Sequence, residues 1–284
     1  MTENIADVPE IAVVPHLRKE PRPKNTRAKA VIDGIKNTLI GASGFVLLAV
    51  IWQILAQFRE LPSVLQIAHE LGLQLAHPFR SEDVNDLGIG LLTSYSLFRV
   101  CAGFVLGSLV AIPLGFLIGS SPLFKRAFSP VIETLRPISP IAWIPIGLAL
   151  LKTAPMAAIF VIFITSLWPT LINTAFGVAS LPDDYKNVAR VFQFSRSKYV
   201  RKILLPFALP HIITGLRLSM GIAWLVIVAA EMLSTVPGIG GFVWESWNSL
   251  MLTRVISAIL IIGVIGLLID RSFEKLHRKY AYGA

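Results

Sequence analysis

Residues 97–119 read LFRVCAGFVLGSLVAIPLGFLIG, and this run decides the fold class. It holds one charged side chain, Arg99, and no period-two alternation, so it reads as a buried or lipid-facing helix rather than a half-exposed strand. About 20 apolar residues in a helix span a bilayer core about 30 Å thick, and the run supplies them. A small residue recurs at every fourth position: Gly103, Gly107, Ala111, Gly115 and Gly119. That spacing keeps them on one ridge, where a second helix can approach closely. Gly215, Ser219 and Ala223 repeat the device more briefly. Whether the partner helix belongs to the same chain or to a second copy stays open at this stage.

Working outward, runs of similar length occupy residues 38–58, 155–178, 211–233 and 251–270. A shorter run at 137–151 carries Pro137, Pro140 and Pro145. It reads as a broken or tilted span, or as a segment that enters the membrane part-way; such helices survive at depth where protein or a cavity surrounds them. Composition agrees, with 54% apolar and 15% charged residues and a mean hydropathy of +0.68. Soluble domains carry about 25% charged residues. The expectation is an all-α polytopic membrane protein with about six transmembrane helices.

The distribution of charge orients it. The formal net charge is +9, but the cations sit in blocks between apolar runs, which is the positive-inside pattern and not a nucleic-acid footprint. Arg18, Lys19, Arg22, Lys24, Arg27, Lys29 and Lys36 precede the first run; Lys125, Arg126 and Arg136 follow the second. Lys186, Arg190, Arg196, Lys198, Arg201 and Lys202 lie between the fourth and fifth, and Arg271, Lys275, Arg278 and Lys279 end the chain. Between the first two runs the balance is acidic, with Glu60, Glu70, Glu82, Asp83 and Asp86, and residues 234–250 hold no Lys or Arg. Six spans, counting the short one, put every basic block and both termini in the cytoplasm. Residues 1–30, with Pro9, Pro15, Pro21 and Pro23 among mixed charges, read as a disordered basic cytoplasmic tail. Residues 33–37 read as a short interfacial helix, and 31–284 as the membrane domain.

Ionisable groups at membrane depth are expensive and mark candidate functional positions. Arg99 and Arg254, near outer span ends, are expected to snorkel to the interface. Arg217 and Glu231 share one span, 14 residues and hence about 21 Å apart, so each needs a partner on another element. Trp143, Trp168 and Asn173 add polar tips in the apolar layer, and Pro145 and Pro169 free backbone carbonyls. Catalytic machinery is missing. No Gly-Lys dipeptide exists for a phosphate-binding loop, the five histidines are scattered, and Cys101 is the one cysteine, which leaves no catalytic, cofactor or metal constellation.

The cytoplasmic segment 181–210, LPDDYKNVARVFQFSRSKYVRKILLPFALP, has helix patterning and is too long for a simple connector. Pro182, Asp183 and Asp184 form a helix start. Val188, Ala189, Phe192 and Phe194 form an apolar patch with basic flanks, suited to a soluble partner, and Pro206 and Pro210 bracket a turn back towards the membrane. The segment resembles the signature of ABC importer permeases: E-A-A, three residues, G, nine residues, then I-x-L-P. Asn187, Val188 and Ala189 stand on E-A-A, Gln193 on the glycine, and Ile203, Leu205 and Pro206 on I-x-L-P. Two positions depart from the pattern: Asn187 replaces the acidic residue, and Gln193 replaces the glycine that makes a sharp bend between two short helices. Residues 136–150, RPISPIAWIPIGLAL, with 215–233 and 236–249, resemble the nitrate, nitrite and bicarbonate branch of the nitrate–sulfonate–taurine permeases.

The resemblance implies a type I importer fold and a homodimer in a bacterial, cyanobacterial inner membrane. It implies a soluble binding protein outside and two ATPase subunits inside, which hold the ATP and magnesium. Asn187, Val188, Ala189, Arg190, Phe192 and Gln193 would form the ATPase contact. Arg217, Trp143, Trp168, Asn173 and Glu231 are the pathway candidates. A sulfonate or taurine permease, and a stand-alone channel or secondary transporter, are the rival readings.

Overall fold

The computed structural model describes residues 26–59, 61–81 and 87–281. The expected tail at 1–25 and the acidic residues Glu60, Glu82, Asp83 and Asp86 lie outside them. The chain up to Leu55 forms a unit of its own, within which helix α1 (Thr26–Arg59) begins. No proline interrupts its 34 residues, so residues 26–30 are helix rather than tail, and residues 33–37 are part of α1 rather than a separate interfacial helix. Phe45, Leu47 and Leu48 stand exposed along it, as a lipid-facing helix requires.

In the second unit, α3 (Ile89–Ser120), α6 (Ala154–Ala179) and α9 (Leu205–Ser234) pack together, with α6 between the other two. The small-residue ridge of α3 faces α6 of the same chain, which answers the question the sequence left open. A Cβ on Gly103 would lie 2.7 Å from the Ile159 carbonyl oxygen, and one on Gly115 would lie 2.6 Å from the Thr174 Cβ. On the other side of α6, Ala223 is fully buried and Gly215 lies against Thr170. Val100, Phe104, Val161, Ile162, Met220, Trp224 and Ile227 fill the resulting core.

Pro169 breaks the backbone ladder of α6, and α9 repairs it. The Ser219 hydroxyl donates to the Ser166 carbonyl at 2.6 Å and accepts from the Thr170 N–H at 3.1 Å. These two groups would otherwise bond each other directly. A hydroxyl has one proton to give, so across the 2.7 Å contact with Thr170 Oγ1 the threonine is the donor. Ser219 thus makes its full complement of bonds inside the apolar layer, where an unmade bond costs several kcal/mol.

The short run at 137–151 is broken, as the sequence reading allowed, and is one limb of a bent pair. Helix α4 (Pro122–Leu135) is followed by a 3-10 turn, Pro140–Trp143, and by α5 (Ile144–Leu151), with a 97° bend between the two parts. The eight residues of α5 reach about 12 Å, far short of a crossing. Among the described residues, five helices are long and apolar enough to cross a membrane, and up to six if α4 and α5 count as one bent span. The sequence could not separate these cases because Pro137 and Pro140 break the helix inside the apolar run.

Outside the span-length helices, α2 (Val64–Ala76) starts with a capping box between Ser63 and Gln66 and packs on α11 (Leu252–Ala281). Arg254 does not snorkel alone: it meets Glu70 at 3.3 Å, beside a 2.8 Å hydrogen bond from Gln74 to Ser257.

Candidate functional site

The segment after α6 folds as α7 (Asp183–Val191), a bend, α8 (Arg196–Tyr199) and then a π-turn, Val200–Leu204, that runs directly into α9. Asp183 and Asp184 sit at the positive end of α7 and Arg190 in its last turn, which suits the helix dipole. The Lys186 ammonium donates to Asp183 at 2.9 Å and holds that carboxyl below the usual carboxylate range. The bend survives the missing glycine. Gln193 takes a left-handed φ of 48°, the Phe194 N–H donates to the Ala189 carbonyl, and the Gln193 N–H donates to Arg190. This paired closure is a Schellman cap.

Two expectations for this segment are corrected. Ala189 is buried, whereas Val188, Val191 and Phe192 stand exposed, so the apolar patch leaves out Ala189 and includes Val191. Pro206 and Pro210 bracket no turn: both lie in α9, and the N–H that Pro206 lacks is absorbed where the π-turn widens the ladder, with Leu205 bonding back to Val200.

Trp143 and Trp168 come together at a recess of about 190 Å³ between the end of α4, the 3-10 turn and the middle of α6. Arg136 lines the same recess. Asn173 is committed elsewhere, donating to the Pro169 carbonyl at 2.8 Å.

A family model described as the binding-protein-dependent transport system inner membrane component matches residues 103–282. The chain belongs to this family. It is an ABC importer permease, and its helices make it a multi-pass membrane protein. It is 45% identical over 232 residues to the nitrate import permease NrtB of Synechocystis sp., covering 81% of this chain and 84% of that one. It is 42% identical over 252 residues to the bicarbonate transport permease CmpB of Synechococcus elongatus, covering 87% and 90%. Among solved structures, the inward-facing MetNI methionine ABC transporter matches with a TM-score of 0.60 at 16% identity, over 66% of this chain and 93% of that chain. That match places the permease in the type I importer fold.

The permease separates Arg217 from Glu231 as expected, and both have partners on other helices. Arg217 holds Asp270 of α11 with two hydrogen bonds of 2.7 Å, from Nε and Nη2. Glu231 is fully buried and meets Arg99 Nη1 at 2.6 Å, so Arg99 is an interior ion-pair partner and not a snorkelling residue. Around the pair, Ser96 donates to the second carboxylate oxygen at 2.7 Å, the Gly240 N–H donates to it at 3.1 Å, and Arg99 also donates to the Pro237 carbonyl at 2.8 Å. Those last contacts come from the start of α10 (Ile239–Asn248), which the carboxylate thereby ties to α3 and α9. A Cβ on Gly238 would overlap the Glu231 carboxylate, which explains the glycine in the Val236–Gly241 stretch. The sequence indicated that Glu231 needs a partner on another element but not which one, because Arg99 by itself read as a snorkelling residue.

Proposed function

We propose that two copies of this permease form the membrane pathway of an ATP-driven importer of a small inorganic anion, with nitrate the first candidate and bicarbonate the second. The substrate reading rests on the names of the relatives. The coupling reading rests on α7, whose exposed Val188, Val191 and Phe192, ringed by Lys186 and Arg190, form an apolar and basic knob. A soluble ATPase subunit is the occupant this knob suits, with Asn187 and Gln193 at the edges of the contact. A binding protein delivers the anion outside, the ATPases hold ATP and magnesium, and the termini are cytoplasmic by the charge pattern. Trp143 and Trp168 are proposed pathway contacts. Arg217, tied to Asp270, and Glu231, tied to Arg99, are proposed to hold α9 in register within the gate.

The test is Phe192→Asp and Val188→Asp in the assembled transporter in vesicles. Exposed positions tolerate the change in folding terms, so the spans persist while ATP-driven nitrate uptake falls at least tenfold. Uptake at the wild-type rate in both variants refutes the docking face. Nitrate flux through the permease alone, without ATPase subunits, refutes the ABC mechanism.

A further inference from the structure

The recess beside α6 has chemistry that the pathway candidates alone do not explain. Arg136, at the break after α4, has no carboxylate partner among the described residues and is exposed. Trp143 and Trp168 are half-buried, and neither indole N–H has a hydrogen-bond partner among the described residues. The buried Trp224, by contrast, donates its indole N–H to the Ile262 carbonyl at 3.1 Å. Trp143 and Trp168 differ from it in that neither indole nitrogen is buried, so both donors stay open to a ligand. The remaining walls include Ile138, Ile164 and Ile222, and no acidic side chain lines the space. The Thr165 hydroxyl spends its proton on the Val161 carbonyl at 2.7 Å.

The recess is therefore lined by an arginine without a carboxylate partner among the described residues, two tryptophans with unpartnered indole N–H groups, and apolar walls. About 190 Å³ equals roughly six water molecules at about 30 Å³ each, which admits a small oxyanion with part of its hydration shell. The larger outer cavity of about 600 Å³ is a poorer anion host: Glu245 lines it, and its Arg254 is already paired with Glu70. Arg217, the cation first expected in this role, is neutralised by Asp270.

We infer that the Arg136–Trp143–Trp168 recess is an anion-binding subsite of the permease, holding a small planar oxyanion by the guanidinium and the two indole N–H groups. This rests on the reading of the chain as an importer of such anions. Arg136 supplies the charge and bidentate geometry that a carboxylate-like or nitrate-like face accepts, and the indoles select against anions too large or too strongly hydrated to enter.

The experiment uses the complete transporter in vesicles, with labelled nitrate and labelled bicarbonate as probes, and four variants: Arg136→Gln, Arg136→Lys, Trp143→Phe and Trp168→Phe. Each Phe keeps the ring and removes only the donor; Arg136 is exposed, so its replacement leaves folding intact, which unfolding temperature confirms. Expected are an uptake loss of about tenfold for Arg136→Gln, consistent with one lost charged contact, partial recovery with Arg136→Lys, and about threefold losses for each Phe variant. Uptake by wild type with wild-type rate and half-saturation in all four variants overturns the subsite alone. Wild-type vesicles that take up neither anion overturn the anion-importer reading, and the subsite falls with it.

Discussion

Helix α9 is tied to its neighbours by two arginine–carboxylate pairs, one near its C-terminal end and one near its middle, and the two differ most in burial. At the C-terminal end Arg99 and Glu231 meet at 2.6 Å with side-chain exposures of 10% and 0%. Near the middle Arg217 and Asp270 meet at 2.7 Å with exposures of 33% and 50%. The exposed pair has the better two-bond geometry, whereas the buried pair has Ser96 and the α10 backbone to complete it. Burial, not geometry, decides what a broken pair leaves behind. An arginine stranded in an apolar interior keeps its charge, while one at the membrane boundary finds water.

The comparison breaks most visibly at Glu231. Glu231→Ala strands Arg99, and the expected loss of stability is about 3–5 kcal/mol, read as a fall in denaturation midpoint of the detergent-solubilised permease. The double replacement Arg99→Met with Glu231→Leu should recover most of that loss, because removing both ions is far less costly than removing one. If the double variant is as unstable as the single, α10 depends on the hydrogen bonds to the carboxylate and not on charge balance. A smaller disturbance of the same end is Gly238→Ala. Its methyl overlaps the carboxylate, so the pair must shift, at about 1–3 kcal/mol. A midpoint equal to wild type would show that α10 is seated more loosely than its contacts imply.

The same contrast separates what the sequence made legible from what it did not. Local rules were enough for the spans: apolar runs gave α3, α6, α9 and α11, and the four-residue spacing of Gly103 to Gly119 gave a packing ridge. Rules about pairs across the fold were not available, because Arg99 and Glu231 lie 132 positions apart and each alone reads as a cost. Residues 137–151 were legible as a broken or part-way segment but not in their direction. Hydropathy reports depth but not direction, and the 97° bend arises from Pro137 and Pro140 within a continuously apolar stretch. Gln193 shows a third limit: the glycine was absent, yet the bend persists, because the hydrogen bonds of the cap outweigh a left-handed penalty of about 1–2 kcal/mol. Arg136 was read only as one of a cytoplasmic block, since nothing in the chain order places it beside Trp168.

Arg217→Ala tests the exposed end of the comparison. Asp270 stands where the apolar run of α11 gives way to Arg271 and Lys275, so the carboxylate left behind stays hydrated. Half-exposed pairs contribute up to about 1 kcal/mol, and the difference from wild type should shrink further in high salt. A loss as large as that of Glu231→Ala, unchanged by salt, would mean that Arg217 is desolvated in the assembled transporter.

The series ends with Asp183 and Lys186 on α7, an ion pair with side-chain exposures of 42% for the lysine and 83% for the aspartate. Lys186 lowers the Asp183 carboxyl, through its hydrogen bond first and its charge second. A depressed carboxyl contributes above the unfolded value of about 3.9, and that contribution disappears as pH falls through the folded value. A spin label on Val191→Cys, in a Cys101→Ala background, reports the end of the helix. In the wild-type pair its mobility should rise only below about pH 3.9, and in Lys186→Ala the rise should move to higher pH, towards the ordinary carboxylate value. Identical transitions in the two proteins would show that Asp183 acts on α7 through the helix dipole alone, leaving burial as the quantity that separates the two pairs on α9.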